Sequence, residues 1–581
     1  MRVLGLVTAR GGSKGFPGKN LARLAGRPLV AWSHRALDRL RERHPEVVLR
    51  LSTDSPDIAA AWPERDRPAD LRPAALAGDT STSLSVVEHE LARAAEAGLP
   101  CDAVLLVQPT SPLLTVDDLE AMWAAFENGA LSVLAAVELD HPVRWSFSLD
   151  ESIRIDPIGG WSTGARQGES RAYRPAGAWL CTANFVRTRR ALAVPGETHA
   201  VVVPRDHAVD IDEPADLEIA ASLLRTSRRD RRIELGRGIA IGEGEPVFVI
   251  AEAGVNHNGD PDLARQLIDA AAGAGADAVK FQTFKPEALT ARSASMAAYQ
   301  KQNLGVEQSQ AEMLRGLELA NAALPDLKSH AEKAGLVFLS SPFDVESARF
   351  LCELGVPALK VGSGELTNHP FLAELAGLGL PLLVSTGMST LDEVEDADRV
   401  IRAYGSPATA WLHCVSSYPA PPDASNLRAM DAIRLAVGGP VGMSDHAMGG
   451  AVTLAAVAMG ARVIEKHLTL SRNMPGPDHA ASLEPAEFAE MMRQVRVVES
   501  AMGDGVKRPA ACETDTLTAA RRSLVAVRDL PAGHVLAAGD LVCKRPATGL
   551  PPSMLGRVIG WVLARDVRAD EVLMREHLRE T

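Results

Sequence analysis

Short apolar runs alternate with stretches of helical spacing along the first 225 residues of the chain. Residues 29–43 repeat apolar positions at the spacing of a helix. Four runs are predicted to be buried strands: 3–7, 47–51, 103–107 and 132–137. Strands that alternate with helices predict a mostly parallel sheet, whose ligands lie beyond the carboxyl ends of the strands. We therefore expect an N-terminal α/β domain with a Rossmann-like sheet over residues 1–225.

A second alternating pattern begins near residue 247. Eight apolar runs are predicted to be strands: 247–251, 278–281, 337–339, 358–361, 382–384, 408–412, 441–443 and 462–464. Eight strand–helix units in about 260 residues predict a (β/α)8 barrel of the TIM type, with its chemistry at the carboxyl ends of the strands. We assign residues 239–512 to this barrel.

The remaining stretches are predicted to be a linker and a small domain. Residues 226–238 contain the charge run Arg228-Arg229-Asp230-Arg231-Arg232, which lacks apolar periodicity and favours a solvated linker over a nucleic-acid patch. Residues 513–581 have short apolar runs and turn signals, typical of a small β-rich domain. About 60 residues form only a marginal core alone, so we expect this domain to dock on the barrel.

Composition limits the class of protein. The chain is 46% hydrophobic and 23% charged, as globular proteins are, and its net charge of −13 argues against a general nucleic-acid binder. Six cysteines occur without any C-x-x-C spacing, so we expect reduced thiols. We find neither signal-peptide features nor a run of about 18 apolar residues, and we expect a cytoplasmic enzyme with no membrane partner.

A glycine-rich basic loop follows the first predicted strand. Its sequence is Ala9-Arg10-Gly11-Gly12-Ser13-Lys14-Gly15-Phe16-Pro17-Gly18-Lys19-Asn20. Glycines let backbone N–H groups approach an anion, and Arg10, Lys14 and Lys19 add positive charge, so the loop is predicted to hold a triphosphate. No Walker pattern G-x-x-x-x-G-K-[ST] fits these residues. The alternative is a flexible basic surface loop.

Other polar residues follow strands of the same predicted sheet. Asp54 and Gln108 each come directly after an apolar run. Asp210 and Asp212 are two residues apart, so an extended segment would direct both carboxylates to one face, a geometry suited to Mg²⁺ and substrate phosphates. The alternative is that this pair caps the helix predicted to follow at Pro214.

The N-terminal motifs resemble those of the acylneuraminate cytidylyltransferases, which make CMP-sialic acids from CTP. Beside the basic loop, the matching segments are Arg72-Pro73, 76–79, 108–112, Arg166-Gln167 and 210–212. The resemblance implies a nucleotide-diphospho-sugar-transferase-like fold. It also implies that the anomeric hydroxyl of the sugar acid attacks the α-phosphorus of CTP and expels pyrophosphate.

The same resemblance implies roles for individual residues. Arg10 and Lys19 would be catalytic, and Asp210 and Asp212 would bind Mg²⁺. The substrate-binding residues would be Lys14, Asn20, Arg72, Ser83, Gln108, Arg166 and Gln167. The chain departs from the family at Ala176, where Asn is usual, and at Arg144, where Lys is common, and both positions lie in the half that binds the sugar.

Polar side chains also end the predicted barrel strands. Two lysines, several serines and the histidines His446 and His467 would meet at one mouth, and this set suits a phosphorylated anion and a metal. A lone histidine is more often structural, but two at the ends of neighbouring strands favour a metal site.

These barrel segments resemble the sialic acid synthase family, which condenses phosphoenolpyruvate with an N-acylated mannose-type sugar and releases phosphate by C–O cleavage. The matching segments are 250–259, 280–282, 360–365, 385–388, 444–446, 465–467 and 476–479. The resemblance implies that His446 and His467 bind Mn²⁺ or another divalent cation, which polarises the open-chain aldehyde of the sugar.

Further roles in the barrel follow from this resemblance. Glu365 is the candidate for handling water or a proton at the former enol carbon. The expected ligands of phosphoenolpyruvate are Lys280, Lys360, Ser341, Ser363, Ser385 and Ser444, and those of the sugar are Glu252, Tyr418 and Asp478. Ser416 stands where some sialic acid synthases have Asn, which leaves the product open. The Gly476-Pro477-Asp478 segment favours a sialic or legionaminic acid.

The C-terminal stretch resembles the antifreeze-like (SAF) domain that ends sialic acid synthases. In that family the domain covers the barrel mouth of the partner subunit, so we expect a homodimer or a higher homo-oligomer. Arg545 matches the arginine that reaches the N-acyl group of the sugar. The alternative is that Arg545 is a solvated loop residue.

Together the two resemblances predict a bifunctional enzyme. The barrel would make N-acetylneuraminate from phosphoenolpyruvate and N-acetylmannosamine or its 6-phosphate, and the N-terminal domain would transfer CMP to it from CTP. One alternative keeps both reactions but uses legionaminic acid or another nonulosonic acid. A second alternative has one half active and the other half serving as a binding or dimerisation module.

Overall fold

We describe the chain from a computed structural model. Residues 147–149, 155–157 and 225–227 are described by their backbone alone. The other residues described are 1–12, 15–68, 70–78, 81–139, 172–224, 232–236, 238–291, 293–297, 300–301, 303 and 308–580. The chain forms two compact units, Met1–Ser500 and Ala501–Thr581. Within the described ranges, no helix is both long and apolar enough to cross a membrane.

The N-terminal region of the first unit is an α/β sheet structure. Its strands are β1 (Val3–Thr8), β2 (Arg23–Leu24), β3 (Arg27–Pro28), β4 (Val47–Ser52), β5 (Ala103–Val107), β6 (Ser132–Glu138), β7 (Phe147–Leu149), β8 (Ile155–Pro157), β9 (Tyr173–Thr182) and β10 (His199–Val202). Its helices are α1 (Leu29–Arg43), α2 (Pro56–Ala60), α3 (Ser83–Glu96), α4 (Val116–Glu127), α5 (Ala183–Arg189) and α6 (Pro214–Ser227).

Six of these strands form one sheet in the order β10-β6-β9-β5-β1-β4. All pairs are parallel except those of β9, which runs antiparallel to β5 and β6. The prediction of a mostly parallel Rossmann-like sheet is therefore confirmed. Alternate residues of β1 serve the two faces: Val3 and Val7 belong to one buried cluster, and Leu4 and Leu6 belong to the other.

A hairpin and an eight-stranded parallel barrel follow. The strands are β11 (Ile233–Glu234), β12 (Ala240–Ile241), β13 (Phe248–Gly254), β14 (Ala278–Thr283), β15 (Val337–Pro342), β16 (Leu359–Val361), β17 (Leu382–Ser385), β18 (Thr409–Cys414), β19 (Val441–Asp445) and β20 (Val463–His467). The hydrogen-bonded order is β15-β14-β13-β20-β19-β18-β17-β16, so the barrel is nearly closed. Each of the eight predicted runs overlaps one of these strands, and the predicted fold class is confirmed.

Helices surround the barrel strands. They are α7 (Pro261–Gly273), α8 (Pro286–Leu289), α9 (Gln310–Arg315), α10 (Leu324–Lys333), α11 (Val345–Leu354), α12 (His369–Gly377), α13 (Leu391–Tyr404), α14 (Ala429–Val437), α15 (Ala451–Ala458) and α16 (Pro485–Met502). Local sequence explains their starts: at α13, for example, Thr390 Oγ1 accepts a hydrogen bond from the Glu393 N–H and the Glu393 carboxylate accepts one from the Thr390 N–H.

The inward-facing residues of the strands change from apolar to polar toward the carboxyl ends. Ile250, Ala278 and Val463 belong to a buried cluster inside the barrel, which also includes Ile233 and Leu235 from the stretch predicted to be a linker. Two residues further along each strand, on the same face, come Glu252, Lys280 and Glu465. The barrel therefore has an apolar floor and a charged mouth.

The second unit contains two short helices and four short strands: α17 (Thr514–Ala520), α18 (Leu555–Val558), β21 (Ser523–Ala526), β22 (Leu541–Lys544), β23 (Val562–Leu563) and β24 (Leu578–Arg579). The strands form two antiparallel pairs, β21–β22 and β23–β24. Side chains from the strands and from the segments between them form a small apolar core, which includes Leu524 of β21 and Leu536 and Leu573 from the connecting segments. A small β-rich C-terminal region was predicted and is confirmed.

Candidate active sites

The basic loop after β1 is tied to its neighbours by polar contacts. The Asn20 side-chain amide donates a hydrogen bond to the Arg10 carbonyl (2.9 Å), and the Gly11 N–H donates one to the Asp54 carboxylate (2.9 Å). These contacts bring together the carboxyl ends of the adjacent strands β1 and β4, as expected for a ligand site of a parallel sheet. Lys14 lies outside the described residues.

A cavity of 460 Å³ opens beside this loop. Its lining includes Arg10, Phe16, Lys19, Asn20, Gln108 and Asp212. Lys19 Nζ lies 3.0 Å from Asp212 Oδ1, and that carboxylate is 73% exposed. The structure therefore brings two cations of the loop, Arg10 and Lys19, to a single cavity. The Gln108 amide and one carboxylate of the predicted Mg²⁺ pair line the same cavity.

The two carboxylates of the predicted Mg²⁺ pair are exposed on either side of the buried Ile211. The Ile211 N–H donates a hydrogen bond to the Thr110 carbonyl (2.7 Å), which anchors this segment to the loop after β5. Asp216, instead of either member of the pair, accepts hydrogen bonds from the N–H groups of Asp212 and Glu213 at the start of α6. These hydrogen bonds assign the capping contacts to Asp216, and the metal role of the pair stays a prediction.

The other residues predicted for this site have different surroundings. Arg72 is buried, and its guanidinium lies 3.6 Å from the Asp54 carboxylate. Ser83 is the first residue of α3. Gln108 receives a backbone contact from β9, because its N–H donates to the Gly177 carbonyl. Arg166 and Gln167 lie outside the described residues, as does Arg144.

Gly177 has a backbone conformation that a larger residue would not tolerate. Its φ of +84° is in the left-handed region, and a Cβ there would lie 2.1 Å from Ser111 Oγ. The loop 108–112, which follows the neighbouring strand β5, therefore contacts the β9 backbone directly. The sequence placed Ala176 in the half that binds the sugar, but it did not predict that this residue lies on a strand of the sheet.

The barrel cavity contains a network of buried charges. Lys280 Nζ lies 2.8 Å from the Glu252 carboxylate and donates a hydrogen bond to Ser341 Oγ (3.0 Å). Lys360 Nζ donates a hydrogen bond to Ser385 Oγ (2.7 Å). Each member is held on a different barrel strand, so the barrel itself fixes their spacing.

Glu465 connects the two lysines. Its two carboxylate oxygens lie 3.6 Å from Lys280 Nζ and 3.6 Å from Lys360 Nζ, and one of them accepts a hydrogen bond from Ser444 Oγ (2.8 Å). Burial alone would raise the pKa of Glu465, but the two lysines lower it to about 2. Burial and the nearby Glu465 charge raise the pKa of Glu252 to about 7, although Lys280 opposes the shift. Burial lowers the pKa of Lys360, and the Glu465 carboxylate opposes that shift. Two lysine side chains that line one cavity suit an anionic ligand.

Two histidines and a tyrosine form the next part of the cavity. The His446 and His467 rings are 5.3 Å apart, and the Tyr418 ring lies 4.1 Å from that of His446. His446 Nδ1 donates a hydrogen bond to the Val415 carbonyl (2.8 Å), which leaves Nε2 as its lone-pair nitrogen. His467 Nδ1 is buried and has no hydrogen-bond partner among the described residues. Burial raises the pKa of the nearby Asp478 to about 6.

The barrel cavity has a volume of 470 Å³. The residues predicted for the barrel site that line it are Glu252, Lys280, Ser341, Lys360, Ser363, Ser385, Tyr418, Ser444, His446, His467 and Asp478. Glu365 is not among the described residues that line it; its carboxylate accepts a hydrogen bond from the Asn368 amide (2.7 Å). Arg545 lies exposed in the second unit. The structure thus collects eleven predicted residues in one cavity and leaves the role of Glu365 a prediction.

Glu465 was not predicted as a site residue, although its segment matched the family motif. The signal lies in the strand period of two: Glu465 and His467 share a face of β20. Lys466, between them, faces the other way, and its ammonium lies 2.8 Å from the buried Asp445 carboxylate. Gln282 and Cys414 also line the cavity and were likewise not predicted.

The fold and the two cavities define an α/β sheet region with a basic loop at its cavity, joined to a (β/α)8 barrel with two buried lysines at its mouth. Family comparisons agree with this division. A cytidylyltransferase family model matches residues 4–145, a NeuB family model matches residues 267–507, and a SAF domain model matches residues 521–579.

Individual relatives match between half and three fifths of the chain. The chain is 44% identical over 328 residues to the N,N'-diacetyllegionaminic acid synthase of Campylobacter jejuni (56% of this chain and 98% of that protein). It is 37% identical over 347 residues to the N-acetylneuraminate-9-phosphate synthase of Mus musculus (59% and 96%). The crystal structure of the N-acetylneuraminic acid synthetase from Leptospira borgpetersenii aligns with a TM-score of 0.45 and 34% identity (50% and 96%). The chain belongs to the NeuB family of sialic and related acid synthases, with a cytidylyltransferase region fused before the synthase.

Proposed function

We propose that this protein makes a nonulosonic acid in its barrel and activates that acid with CTP in its N-terminal region. The buried network of Lys280, Lys360 and Glu465 carries the first half of this proposal, because it brings two lysine side chains to the cavity at the barrel mouth. The synthase and cytidylyltransferase families support the two reaction types. The chain order is then the reverse of the reaction order.

In the barrel, the proposed reaction joins C3 of phosphoenolpyruvate to the aldehyde carbon of an N-acylmannosamine-type sugar. Lys280 and Lys360, with Ser341, Ser385 and the nearby serines 363 and 444, would hold the phosphate and the carboxylate. Water adds at C2, and the C–O bond to phosphate breaks. Glu252, Tyr418 and Asp478 would position the sugar. Glu365 remains our candidate for the proton transfer that this addition of water requires.

The donors at the barrel mouth fit a divalent metal such as Mn²⁺. His467 has a buried ring nitrogen without a hydrogen-bond partner, and His446 has Nε2 available, so both rings offer a lone pair. Two imidazoles suit a transition metal better than Mg²⁺. Bound there, the ion would supply Lewis acidity at the sugar aldehyde.

In the N-terminal region, the proposed reaction transfers CMP from CTP to the anomeric hydroxyl of the acid. Arg10 and Lys19 would neutralise the triphosphate, assisted by Lys14 and Asn20. Asp210 and Asp212 offer exposed oxygen ligands beside the cavity, as Mg²⁺ prefers, and the ion would add positive charge at the phosphates. Arg72, Ser83, Gln108, Arg166 and Gln167 are our proposed contacts to nucleotide and sugar.

The identity of the acid is the finer part of the proposal. N-acetylneuraminate, made from N-acetylmannosamine or its 6-phosphate, is one candidate. The second candidate is the acid made from a diacetamido sugar. It is supported by the sequence identity of this chain to a diacetyllegionaminic acid synthase, 44% against 37% for the neuraminate-9-phosphate synthase. We also propose a cytoplasmic homodimer, in which Arg545 of the SAF domain would contact the N-acyl group.

Two separate assays test the proposal. Phosphate release would be measured with phosphoenolpyruvate and a panel of N-acyl and diacetamido six-carbon sugars. Pyrophosphate release would be measured with CTP, Mg²⁺ and the corresponding nine-carbon acids. We expect both activities from the purified full chain. The absence of either from folded protein, with every sugar in the panel supplied, would leave only one half active and refute the bifunctional proposal.

A further inference from the structure

The N-terminal sheet region and the barrel share a close interface within the first unit. Helix α6 packs against barrel helix α14. At the turn between β2 and β3, Gly26 has a φ of +77°, and a Cβ there would lie 3.0 Å from the Ala432 side chain of α14. The approach is therefore close enough that the residue at this turn must be small.

Buried charges join the two regions beside this turn. Arg27 donates a hydrogen bond to the Glu395 carboxylate on barrel helix α13 (2.9 Å), and Arg35 of α1 lies 2.5 Å from the same carboxylate. Asp392 contacts both arginines as well. Arg27 is 7% exposed and Glu395 is 5% exposed, so this contact is shielded from water. A buried charge network of this kind is costly to disrupt from one side.

An apolar cluster lies next to the charges. Its buried members are Leu24, Ala25, Leu29, Trp32, Leu113, Ile211, Ala220, Leu224 and Leu435. All of them belong to the N-terminal region except Leu435, which comes from α14 of the barrel and is 5% exposed. The barrel therefore contributes a side chain to the core of the neighbouring region.

This cluster also lies behind the proposed CTP site. Ile211 is the residue between Asp210 and Asp212, and Phe16, which packs against the cluster, lines the same cavity as Lys19. The Ile211 side chain is completely buried, so its position sets where the two flanking carboxylates emerge. Packing that holds Ile211 therefore also holds the proposed metal ligands Asp210 and Asp212.

We propose that Leu435 of the barrel is a positioning residue of the N-terminal nucleotidyltransferase site. By completing the buried cluster that contains Ile211, it holds residues 208–213 so that Asp210 and Asp212 face the triphosphate cavity. Glu395 serves the same end by fixing Arg27 and Arg35 against the barrel. The inference rests on the proposed CTP-dependent function. It means that the cytidylyltransferase region depends on the synthase barrel for the geometry of its site.

The test replaces Leu435 by Ala in the full chain. We expect the KM for CTP and the Mg²⁺ concentration at half-maximal CMP transfer to rise about tenfold, since a small misplacement of ligands is costly. Phosphate release by the barrel should change by less than about twofold. Hydrogen exchange of the backbone amides of 208–213 should become faster, and Leu435→Met should restore wild-type values.

The matched control is Leu327→Ala. Leu327 is equally buried on α10, in the core between the barrel strands and their helices. This variant should lose thermal stability without changing the KM for CTP or exchange at 208–213. Glu395→Gln is a second variant, which should raise the KM for CTP and the exchange rate at 208–213 by a smaller amount. It tests the positioning role if Leu435→Ala does not fold.

The outcomes separate this inference from the proposed function. If wild-type protein neither binds CTP in calorimetry nor uses it, the proposed function is wrong. If wild-type protein binds CTP, and the variants at 435 and 395 leave both the KM for CTP and exchange at 208–213 unchanged, the positioning role is wrong. An equal effect of Leu327→Ala on CTP would also overturn it, since the effect would then be a general loss of stability.

Discussion

The two cavities of the first unit hold their charges in opposite ways. In the barrel, Lys280, Lys360 and Glu465 are buried on three different strands, and Glu465 lies 3.6 Å from each lysine. In the N-terminal region, Lys19 meets an Asp212 carboxylate that is 73% exposed, and the participants lie on loops. The barrel site is therefore organised before its ligand arrives. The loop site depends on its ligands and on the buried cluster that contains Ile211.

This contrast has an energetic consequence. A buried charge that loses its partner keeps its desolvation penalty, whereas an exposed charge is rehydrated by water. Substitutions in the barrel network should therefore reduce both stability and activity. Substitutions in the loop site should change the requirement for substrate and leave stability nearly unchanged. The following predictions test this difference.

His446→Ala should have the largest effect on one activity alone. Loss of an imidazole donor should reduce phosphate release at least about 100-fold, because both rings are proposed ligands of the metal. CMP transfer should be unaffected, since the two cavities are separate. Both assays would be run on the same preparation, with His330→Ala, a partly exposed histidine on α10 outside both cavities, as the control. Loss of both activities would show that the two cavities act as one site.

Glu465→Gln should reduce both stability and activity in the barrel. The substitution leaves Lys280 and Lys360 buried without their shared carboxylate, and the expected loss of unfolding free energy is about 3 kcal/mol. Denaturant unfolding and phosphate release measure the two effects. Glu374→Gln, which breaks an exposed pair with Arg349 (3.3 Å), is the control and should change stability by less than about 0.5 kcal/mol. Equal stability of the two variants would contradict the contrast between buried and exposed charges.

Lys19→Ala should raise the KM for CTP about tenfold, the typical weight of one charge-assisted contact. Thermal stability and phosphate release should stay at wild-type values, because Asp212 is solvated when its partner is removed. Pyrophosphate release over a range of CTP concentrations gives the result. The exposed Lys333→Ala on α10 serves as the comparison. An unchanged CTP requirement would exclude Lys19 from the triphosphate site.

The smallest expected effect is a pH dependence of stability at the Asp118–His207 pair, whose atoms Oδ2 and Nδ1 are 2.9 Å apart. The hydrogen bond to Asp118 raises the pKa of His207 above its ordinary value. Burial would raise the pKa of Asp118, but hydrogen bonds from His207 and Thr115 hold it below its ordinary value.

The sign follows from the two shifts. The contribution of His207 is complete below about pH 6.5 and is lost as pH rises through its raised pKa. The contribution of Asp118 is present above about pH 4 and is lost as pH falls through its lowered pKa. His207→Gln should therefore cost most stability between those values and little at pH 9. Melting temperatures across this range, and the His207 titration by NMR, measure it; a cost that grows toward pH 9 would show the opposite sign.

Much of the architecture could be predicted from local pattern. All eight barrel strands, the mostly parallel first sheet and α1 follow from apolar runs and helical spacing, because strands buried on both faces must be continuously apolar. β9 was missed: its first residues, Tyr173, Arg174 and Pro175, are polar or unsuited to a central strand, and their pairing is nonlocal. β10 was missed as well, since four residues at a sheet edge leave little pattern.

The sequence by itself determined the predicted strand on which most of the candidate site residues lie. Alternation along β13, β14 and β20 already directs Glu252, Lys280 and Glu465 to one face. Only the tertiary structure decided how these charges pair, because it places Glu465 3.6 Å from each of two lysines. It also adds Leu435 of the barrel to the buried cluster that contains Ile211. The period of a strand and the glycine content of a loop are local properties, which can be read from consecutive residues. Charge pairing and shared cores depend on distances between segments hundreds of residues apart, which the folded chain alone sets.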